Sequence, residues 1–156
     1  MSRTDYFHDP TAPKANSIVV AVTVVVVNDE GQVLLIERSD NGLWSLPGGG
    51  QDIGENIEQT AVRETLEETG VQIQVTGLVG IYSDPNHVVA YDDGEVRQQF
   101  SICLRGRYIS GQPTASDEST RVQWIARDAL NDLKIHPSMR LRIAHGYDDD
   151  RDPYIG

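Results

Sequence analysis

The sequence contains little cysteine and few aromatic residues. Cys103 is the single cysteine among 156 residues, so no disulfide can form within the chain. This excludes the small secreted folds that depend on disulfides for their stability. Phe, Trp and Tyr together make up 6% of the residues, so a site that stacks a nucleobase can draw on few aromatic rings.

Basic residues are also scarce. The chain has 13 Lys and Arg against 24 Asp and Glu, which gives a formal net charge of −11 at pH 7. A surface this acidic repels phosphate backbones, so we expect no stable complex with nucleic acid. A small anionic substrate is compatible with this charge if a metal ion lies between the protein carboxylates and the substrate phosphates.

No hydrophobic run is long enough to cross a membrane. Residues 18–27 are apolar apart from Thr23, but ten residues are too few to span a bilayer as a helix. The first 17 residues contain two Asp and two Pro and lack the apolar core of a signal peptide. We therefore expect a cytoplasmic protein that does not associate with membranes.

The length and the hydrophobic pattern predict one α/β domain. We predict a loose lead-in at 1–16, a globular domain at 17–147 and an acidic, solvated tail at 148–156. The valine-rich segment 18–27 predicts a strand that is buried on both faces. Helical and extended patterns along the rest of the chain give the other elements. They are strands at 32–37, 71–82, 98–108 and 121–125, helices at 55–69, 127–133 and 137–145, and a loop at Gly48–Gly50.

Three glutamates fall on one face of the predicted helix at 55–69. Glu64, Glu67 and Glu68 are separated by three and four residues, which places them together on a helix. Like charges at those spacings destabilise a helix, so the cluster is either a solvated acidic face or a site for a divalent cation. Carboxylate oxygens suit Mg²⁺ or Mn²⁺, and a bound ion removes the repulsion.

The residues around this cluster have the spacing of a known motif, the Nudix box, which runs here from Gly49 to Val71. Its fixed positions are filled by Gly49, Glu55, Arg63, Glu64, Glu67, Glu68 and Gly70. The chain therefore resembles the Nudix hydrolase family. The one departure is Thr65, which stands at an aliphatic position and is similar in volume to valine.

The resemblance implies a fold and a chemistry. The fold is a Nudix-type α/β/α sandwich with a central mixed sheet. The reaction is the metal-dependent hydrolysis of a phosphoanhydride bond in a nucleoside diphosphate derivative, with Mg²⁺ as the cofactor and Mn²⁺ able to replace it. The partner is a small nucleotide substrate, and the family is compatible with a homodimer.

The resemblance also implies which residues form the site. Glu64, Glu67 and Glu68 would ligate the metal, and Arg63 and Glu55 would orient them through hydrogen bonds. Three further positions would contact the substrate, namely Gly48, Gly49 and Arg38. The catalytic candidates, one of which takes a proton from the attacking water, are Glu68, Glu67 and the loop residue Glu118. The four histidines show no zinc-ligand spacing and are expected to be structural or exposed.

The motif predicts the chemistry of the reaction but does not identify the substrate. Pro85 lies 15 residues after Gly70, and a proline near this distance, usually one residue further, accompanies family members that act on ADP-ribose. The sequence thus favours ADP-ribose or another nucleotide sugar. The alternatives are nucleoside triphosphates, including oxidised ones, dinucleoside polyphosphates and RNA 5′ ends. Outside the hydrolase class, a catalytically silent nucleotide-sensing module and a structural calcium site stay open.

Overall fold

The computed structural model describes residues 3–156, so the first two residues of the predicted lead-in lie outside it. Residues 3–156 form ten strands, two α-helices and a short 3₁₀ helix at Arg127–Asp132. The strands are β1 (Arg3–Phe7), β2 (Ser17–Val27), β3 (Val33–Arg38), β4 (Trp44–Ser45), β5 (Gly48–Gly50), β6 (Gln72–Tyr82), β7 (His87–Tyr91), β8 (Val96–Ser110), β9 (Ser119–Ile125) and β10 (Tyr154–Ile155). The helices are α1 (Ile57–Thr69) and α2 (Pro137–Tyr147).

The strands form one mixed sheet. Its main path runs β1-β7-β8-β2-β3-β4, and β5, β6, β9 and β10 pair outside that path. β2 and β8 are parallel along the whole of β2, from Ser17 opposite Arg97 to Val27 opposite Arg107. β6 pairs with β8 and β9 pairs with β3, both antiparallel. The predicted central mixed sheet is therefore confirmed.

The valines of β2 alternate between two cores, as the two-residue period of a strand requires. Val22, Val24 and Val26 pack on the side of α1, whereas Val25 and Val27 pack on the side of α2. One helix thus covers each face of the sheet, and the predicted α/β/α sandwich is confirmed. Only this second half of β2 is buried on both faces, because the first half alternates between exposed and half-buried residues.

The sequence signals at both ends of α1 explain its bounds. The side chain of Asn56 accepts from the backbone N–H of Gln59 at 2.9 Å, and the Gln59 side chain accepts from the Asn56 N–H at 2.8 Å. This reciprocal cap starts the helix two residues later than predicted. Gly70 ends it with φ at 74°, a left-handed conformation that glycine adopts without strain.

Three segments predicted to be irregular contribute strands. The prediction of a loose lead-in is wrong for Arg3–Phe7, since β1 pairs antiparallel with β7. The prediction of a loop at Gly48–Gly50 is also wrong, because these glycines pair with β2 as β5. Tyr154–Ile155, within the predicted solvated tail, pairs parallel with β6. Pairing between backbone segments so far apart in the chain leaves no signal in the local sequence. The domain limits at 16 and 147 stay a prediction.

Among the helices of residues 3–156, none has both the length and the apolar character needed to cross a bilayer.

Candidate active site

Arg63, in the middle of α1, contacts three of the glutamates of the motif. Its Nε and Nη2 donate to the two carboxylate oxygens of Glu55, at 2.6 and 3.0 Å. Its Nη1 donates to Glu64 Oε1 at 2.9 Å and to Glu67 Oε2 at 3.3 Å. The hydrogen bonds from Arg63 hold the pKa of Glu55 at about 2. Glu55 and Arg63 thus form a fixed ion pair, and that pair presents one guanidinium nitrogen to Glu64.

Glu64 and Glu68 lie one helical turn apart, with Glu64 half-buried and Glu68 buried. Glu68 is only 7% exposed, and its carboxyl group hydrogen-bonds to that of Glu64. Burial, together with this contact, raises the pKa of Glu68 to about 9, and burial also raises the pKa of Glu64. Two adjacent buried carboxyl groups do not both ionise unless a positive charge joins them.

The glycines of β5 allow the backbone to approach this pair. A Cβ atom at Gly49 would lie 2.5–2.7 Å from the carboxyl atoms of Glu64, far inside van der Waals contact. The backbone of Gly48 hydrogen-bonds to the carboxyl group of Glu68, which favours the ionised form. Gly49 is therefore needed as a strand residue that leaves room for the carboxylate of Glu64.

The acidic pair fits a hard divalent cation. Mg²⁺ binds through one or two protein carboxylates and completes its shell with water and substrate phosphates, so Glu64 and Glu68 supply enough oxygens. Glu67 is further out, with a side chain that is 59% exposed. Among the described residues the three glutamates do not bring their oxygens within 4.8 Å of one another. As a third ligand, Glu67 would have to rotate towards the pair.

Arg38 and Glu118 come close to the same pair from other parts of the fold. The Arg38 guanidinium makes two hydrogen bonds to Asp40, at 2.9 and 2.8 Å, so much of its charge is already compensated. Burial is the main cause of the raised pKa of Glu68, and the hydrogen bonds to Asp40 are the main cause of the raised pKa of Arg38. The negative charge of the loop residue Glu118 adds to both shifts. Ser39 fixes that loop, because its N–H donates to the Glu118 carbonyl at 3.1 Å.

A cavity of about 140 Å³ lies beside these groups. Arg38, Gly48, Gly49 and Glu68 line it, so four of the residues expected at the site meet there. Side chains that the sequence analysis did not predict also line it, and they come from β1, β7 and the start and middle of α2. They are Arg3, Asp5, His87, His136 and Arg142. Their positions are scattered over most of the chain, so no spacing in the sequence could have grouped them.

Comparisons with known proteins identify the family. A model of the NUDIX domain matches residues 18–145. The putative 8-oxo-dGTP diphosphatase of Bacillus subtilis is 48% identical over 108 residues, which cover 69% of this chain and 66% of that protein. The ADP-ribose pyrophosphatase of Methanocaldococcus jannaschii is 41% identical over 116 residues, and the match covers 69% of this chain and 62% of that protein.

Solved structures agree on the fold. A NUDIX hydrolase from Nitrosomonas europaea superposes with a TM-score of 0.74 over 92% of this chain and 80% of that chain, at 19% identity. An ADP-ribose pyrophosphatase from Streptococcus suis superposes with a TM-score of 0.67 over 88% of this chain and 96% of that chain, also at 19% identity. The motif, the arrangement of its residues and the matched family model agree, and the chain belongs to the Nudix hydrolase family.

Proposed function

We propose that this Nudix enzyme hydrolyses a phosphoanhydride bond in a nucleoside diphosphate derivative and needs Mg²⁺, or Mn²⁺ in its place. The observation that supports this best is the contact between the half-buried Glu64 and the buried Glu68 beside a glycine strand. Such a pair is unfavourable by itself and becomes favourable around a cation. When bound, the metal neutralises charge on the diphosphate and lowers the pKa of a coordinated water.

The residues of the chain would bind the metal, orient its ligands and accept a proton from water. Glu64 and Glu68 would hold the metal, with Glu67 as a third ligand. Arg63 orients Glu64 by the hydrogen bond from its Nη1 while Glu55 fixes the other side of the guanidinium. Two carboxylates are the candidates to take a proton from the attacking water. They are Glu68 and, from the loop before β9, Glu118.

The favoured substrate is ADP-ribose or another nucleotide sugar. The spacing of Pro85 supports this choice, as does the name of the relative from Methanocaldococcus jannaschii. A second candidate is an oxidised nucleoside triphosphate, because the relative from Bacillus subtilis that is 48% identical carries the name 8-oxo-dGTP diphosphatase. We also expect a cytoplasmic protein that forms no stable nucleic-acid complex, and we leave open whether it is a homodimer.

A hydrolysis screen tests the proposal. Purified protein is incubated with Mg²⁺ and ADP-ribose, other nucleotide sugars, dinucleoside polyphosphates or nucleoside triphosphates, and the products are separated. AMP with a sugar phosphate identifies the first candidate, and a monophosphate with pyrophosphate identifies the second. Activity that Ca²⁺ suppresses would exclude a structural calcium site. Nucleotide binding without turnover in Mg²⁺ or Mn²⁺ would overturn the proposal in favour of a sensing module.

Arg63→Lys is expected to lower kcat/KM by about 10- to 100-fold, the usual effect of losing a group that orients a metal ligand. Lysine keeps the charge but cannot donate to both oxygens of Glu55 and to Glu64 at the same time. The measurement is kcat/KM across a Mg²⁺ titration. We expect the Mg²⁺ concentration for half-maximal activity to rise.

Arg97→Lys is the matched control, because Arg97 forms a similar two-bond pair with Glu95 outside the cavity. Its kcat/KM and Mg²⁺ dependence should stay within about twofold of the wild type, as for surface substitutions in general. If both variants lose the same fraction of activity, Arg63 has no special role in positioning the metal ligands.

A further inference from the structure

Arg142 is a buried arginine without a charged partner. It lies in α2, is 4% exposed, and its Nε is buried without a hydrogen-bond partner. Its recorded contacts are a hydrogen bond to the sulfur of Met139 at 3.5 Å and a position 4.9 Å from the centre of the Tyr82 ring. Within residues 3–156, the titratable groups that act on its guanidinium are Cys103 and Tyr82, and no carboxylate is among them.

An isolated buried charge costs a protein several kcal/mol of stability in general, and buried charges are therefore paired or bound to a ligand. Stacking on Tyr82 offsets only part of that cost. Methionine at this position would fill a similar space without the penalty. Arg142 lines the cavity that also contains Glu68, so a ligand in this cavity is the natural source of the missing negative charge.

Arg142 is part of a group of cationic and imidazole side chains, which we call the basic cluster, formed by Arg3, His87, His136 and Arg142. All four line the cavity. Arg3 also has a buried Nε without a hydrogen-bond partner. Burial lowers the pKa of His136, the charge of Asp5 opposes this shift, and His87, Arg142 and Arg3 add to it.

Two carboxylates stand near these groups. Asp40 Oδ2 lies 3.9 Å from Arg3 Nε and is also paired with Arg38. The other is Asp5, which is shared by several members of the cluster. Its Oδ1 is 2.9 Å from His87 Nε2 and 3.6 Å from His136 Nε2, and its Oδ2 is 3.8 Å from Arg3. Asp5 therefore serves three neighbours and leaves Arg142 uncompensated. In a chain with a net charge of −11, this local excess of positive charge marks a place for an anion.

Asp5 and the two histidines of the basic cluster could instead hold a transition metal. Ligand atoms of Asp5, His87 and His136 lie within 4.8 Å of one another. Two observations argue against this. The backbone N–H of Ser138 donates to His136 Nδ1 at 3.2 Å, so the ring proton lies on Nε2, the atom that a metal would need. The charge of Arg142 would also repel a cation at this place.

We propose that the basic cluster binds an anionic group of the substrate other than the scissile diphosphate, with Arg142 as the residue that determines this specificity. The group is a third phosphate of a nucleoside triphosphate or a phosphate or carboxylate on the second moiety of the diphosphate. Glu68, Gly48 and Gly49 line the same cavity, so one molecule can reach both places. The identity of the ligand as a substrate rests on the proposed function, whereas the anion site itself does not.

The first test measures stability and anion binding of the metal-free protein, with inorganic phosphate as the probe. Arg142→Met should raise the melting temperature without phosphate by about 2–4 °C, since it removes an uncompensated buried charge. Phosphate should stabilise the wild type, and its apparent Kd should weaken by about 10-fold or more in the variant. Arg127→Met is the matched control, because Arg127 also stacks on a tyrosine, Tyr147, but does not line this cavity.

The second test compares substrates that differ by one anionic group. The pairs are a nucleoside triphosphate with its diphosphate, and ADP-ribose with an ADP-ribose phosphorylated on its terminal ribose. In the pair that carries the recognised group, Arg142→Met should raise KM for the more anionic substrate by about 10- to 100-fold. The kcat for that substrate should stay nearly unchanged. Arg142→Lys should recover part of the affinity, because it restores the charge without the planar fork.

The outcomes separate this inference from the proposed function. Loss of phosphate binding in Arg142→Met without hydrolysis of any nucleotide would support the anion site and overturn the proposed function. Unchanged KM values for every substrate would overturn the anion site and leave the hydrolase intact. A lower melting temperature with equal phosphate binding would show that Arg142 is structural. Stoichiometric Zn²⁺ binding that is lost in His87→Ala would assign the cluster to a metal instead.

Discussion

Glu68→Gln is expected to lower kcat by about 10³-fold with the preferred substrate, in the range that loss of a general base or a metal ligand produces. Glu68 is the most buried glutamate of the motif, lines the cavity and contacts Glu64. Glutamine has nearly the same shape but cannot carry a negative charge or accept a proton from water. The measurement is kcat at saturating Mg²⁺ and substrate.

The same variant should keep its fold. Burial raises the pKa of Glu68 and so favours a neutral carboxyl group in the metal-free protein, and a neutral amide replaces it with little change. We therefore expect a melting temperature without metal within about 2 °C of the wild type. Added Mg²⁺ should stabilise the wild type more than the variant.

Glu58→Gln makes the same chemical change at an exposed position in the first turn of α1 and is the control for Glu68→Gln. It should keep nearly full activity. Glu118→Gln decides between the two proposed bases. If it lowers kcat more than Glu68→Gln does, Glu118 is the residue that takes the proton from water. Equal activity of Glu68→Gln and Glu58→Gln would refute the assigned role of Glu68.

Gly48→Ala is expected to destabilise the protein by about 3 kcal/mol, at the upper end of what a single added methyl group costs in a packed position. A Cβ atom there would lie 2.1 Å from the backbone oxygen of Val22 and 2.9 Å from the Cα of Thr23. These are backbone atoms of the central strand β2, so they cannot rotate away as a side chain would. Thermal denaturation should show a melting temperature lower by roughly 6–12 °C.

Gly50→Ala is the matched control in the same strand. A Cβ atom at Gly50 would meet no heavy atom within 4 Å, and its φ lies outside the left-handed region that favours glycine. We expect its stability to stay within about 0.5 kcal/mol of the wild type. If Gly50→Ala were as unstable as Gly48→Ala, the cost would come from glycine flexibility and not from the close approach of β5 to β2.

The helical part of the site followed from the sequence because its determinants are local. The spacing of Glu64, Glu67 and Glu68 on α1 and the stop at Gly70 depend only on the helical period and on the conformational freedom of glycine. Arg63 lies on the same helix four residues before Glu67, so its contact with Glu67 also follows from the helical period.

The tertiary structure alone decided what surrounds this helix. The sequence predicted a loop at Gly48–Gly50 and a loose segment at 1–16, whereas β5 pairs with β2 and β1 pairs with β7. No spacing in the sequence grouped the histidines, and only the fold brings His87 and His136 to the wall of the cavity.

The physical reason is the range of the interactions. The sequence by itself determined the chemistry of α1, because helical hydrogen bonds and caps join residues at most four positions apart. Only the tertiary structure could bring Asp5, His87 and Arg142 to one cavity, because strand pairing joins distant segments through backbone groups that every residue carries. The burial of Arg142 without a counter-charge is likewise a property of the packed protein and has no trace in the order of the residues.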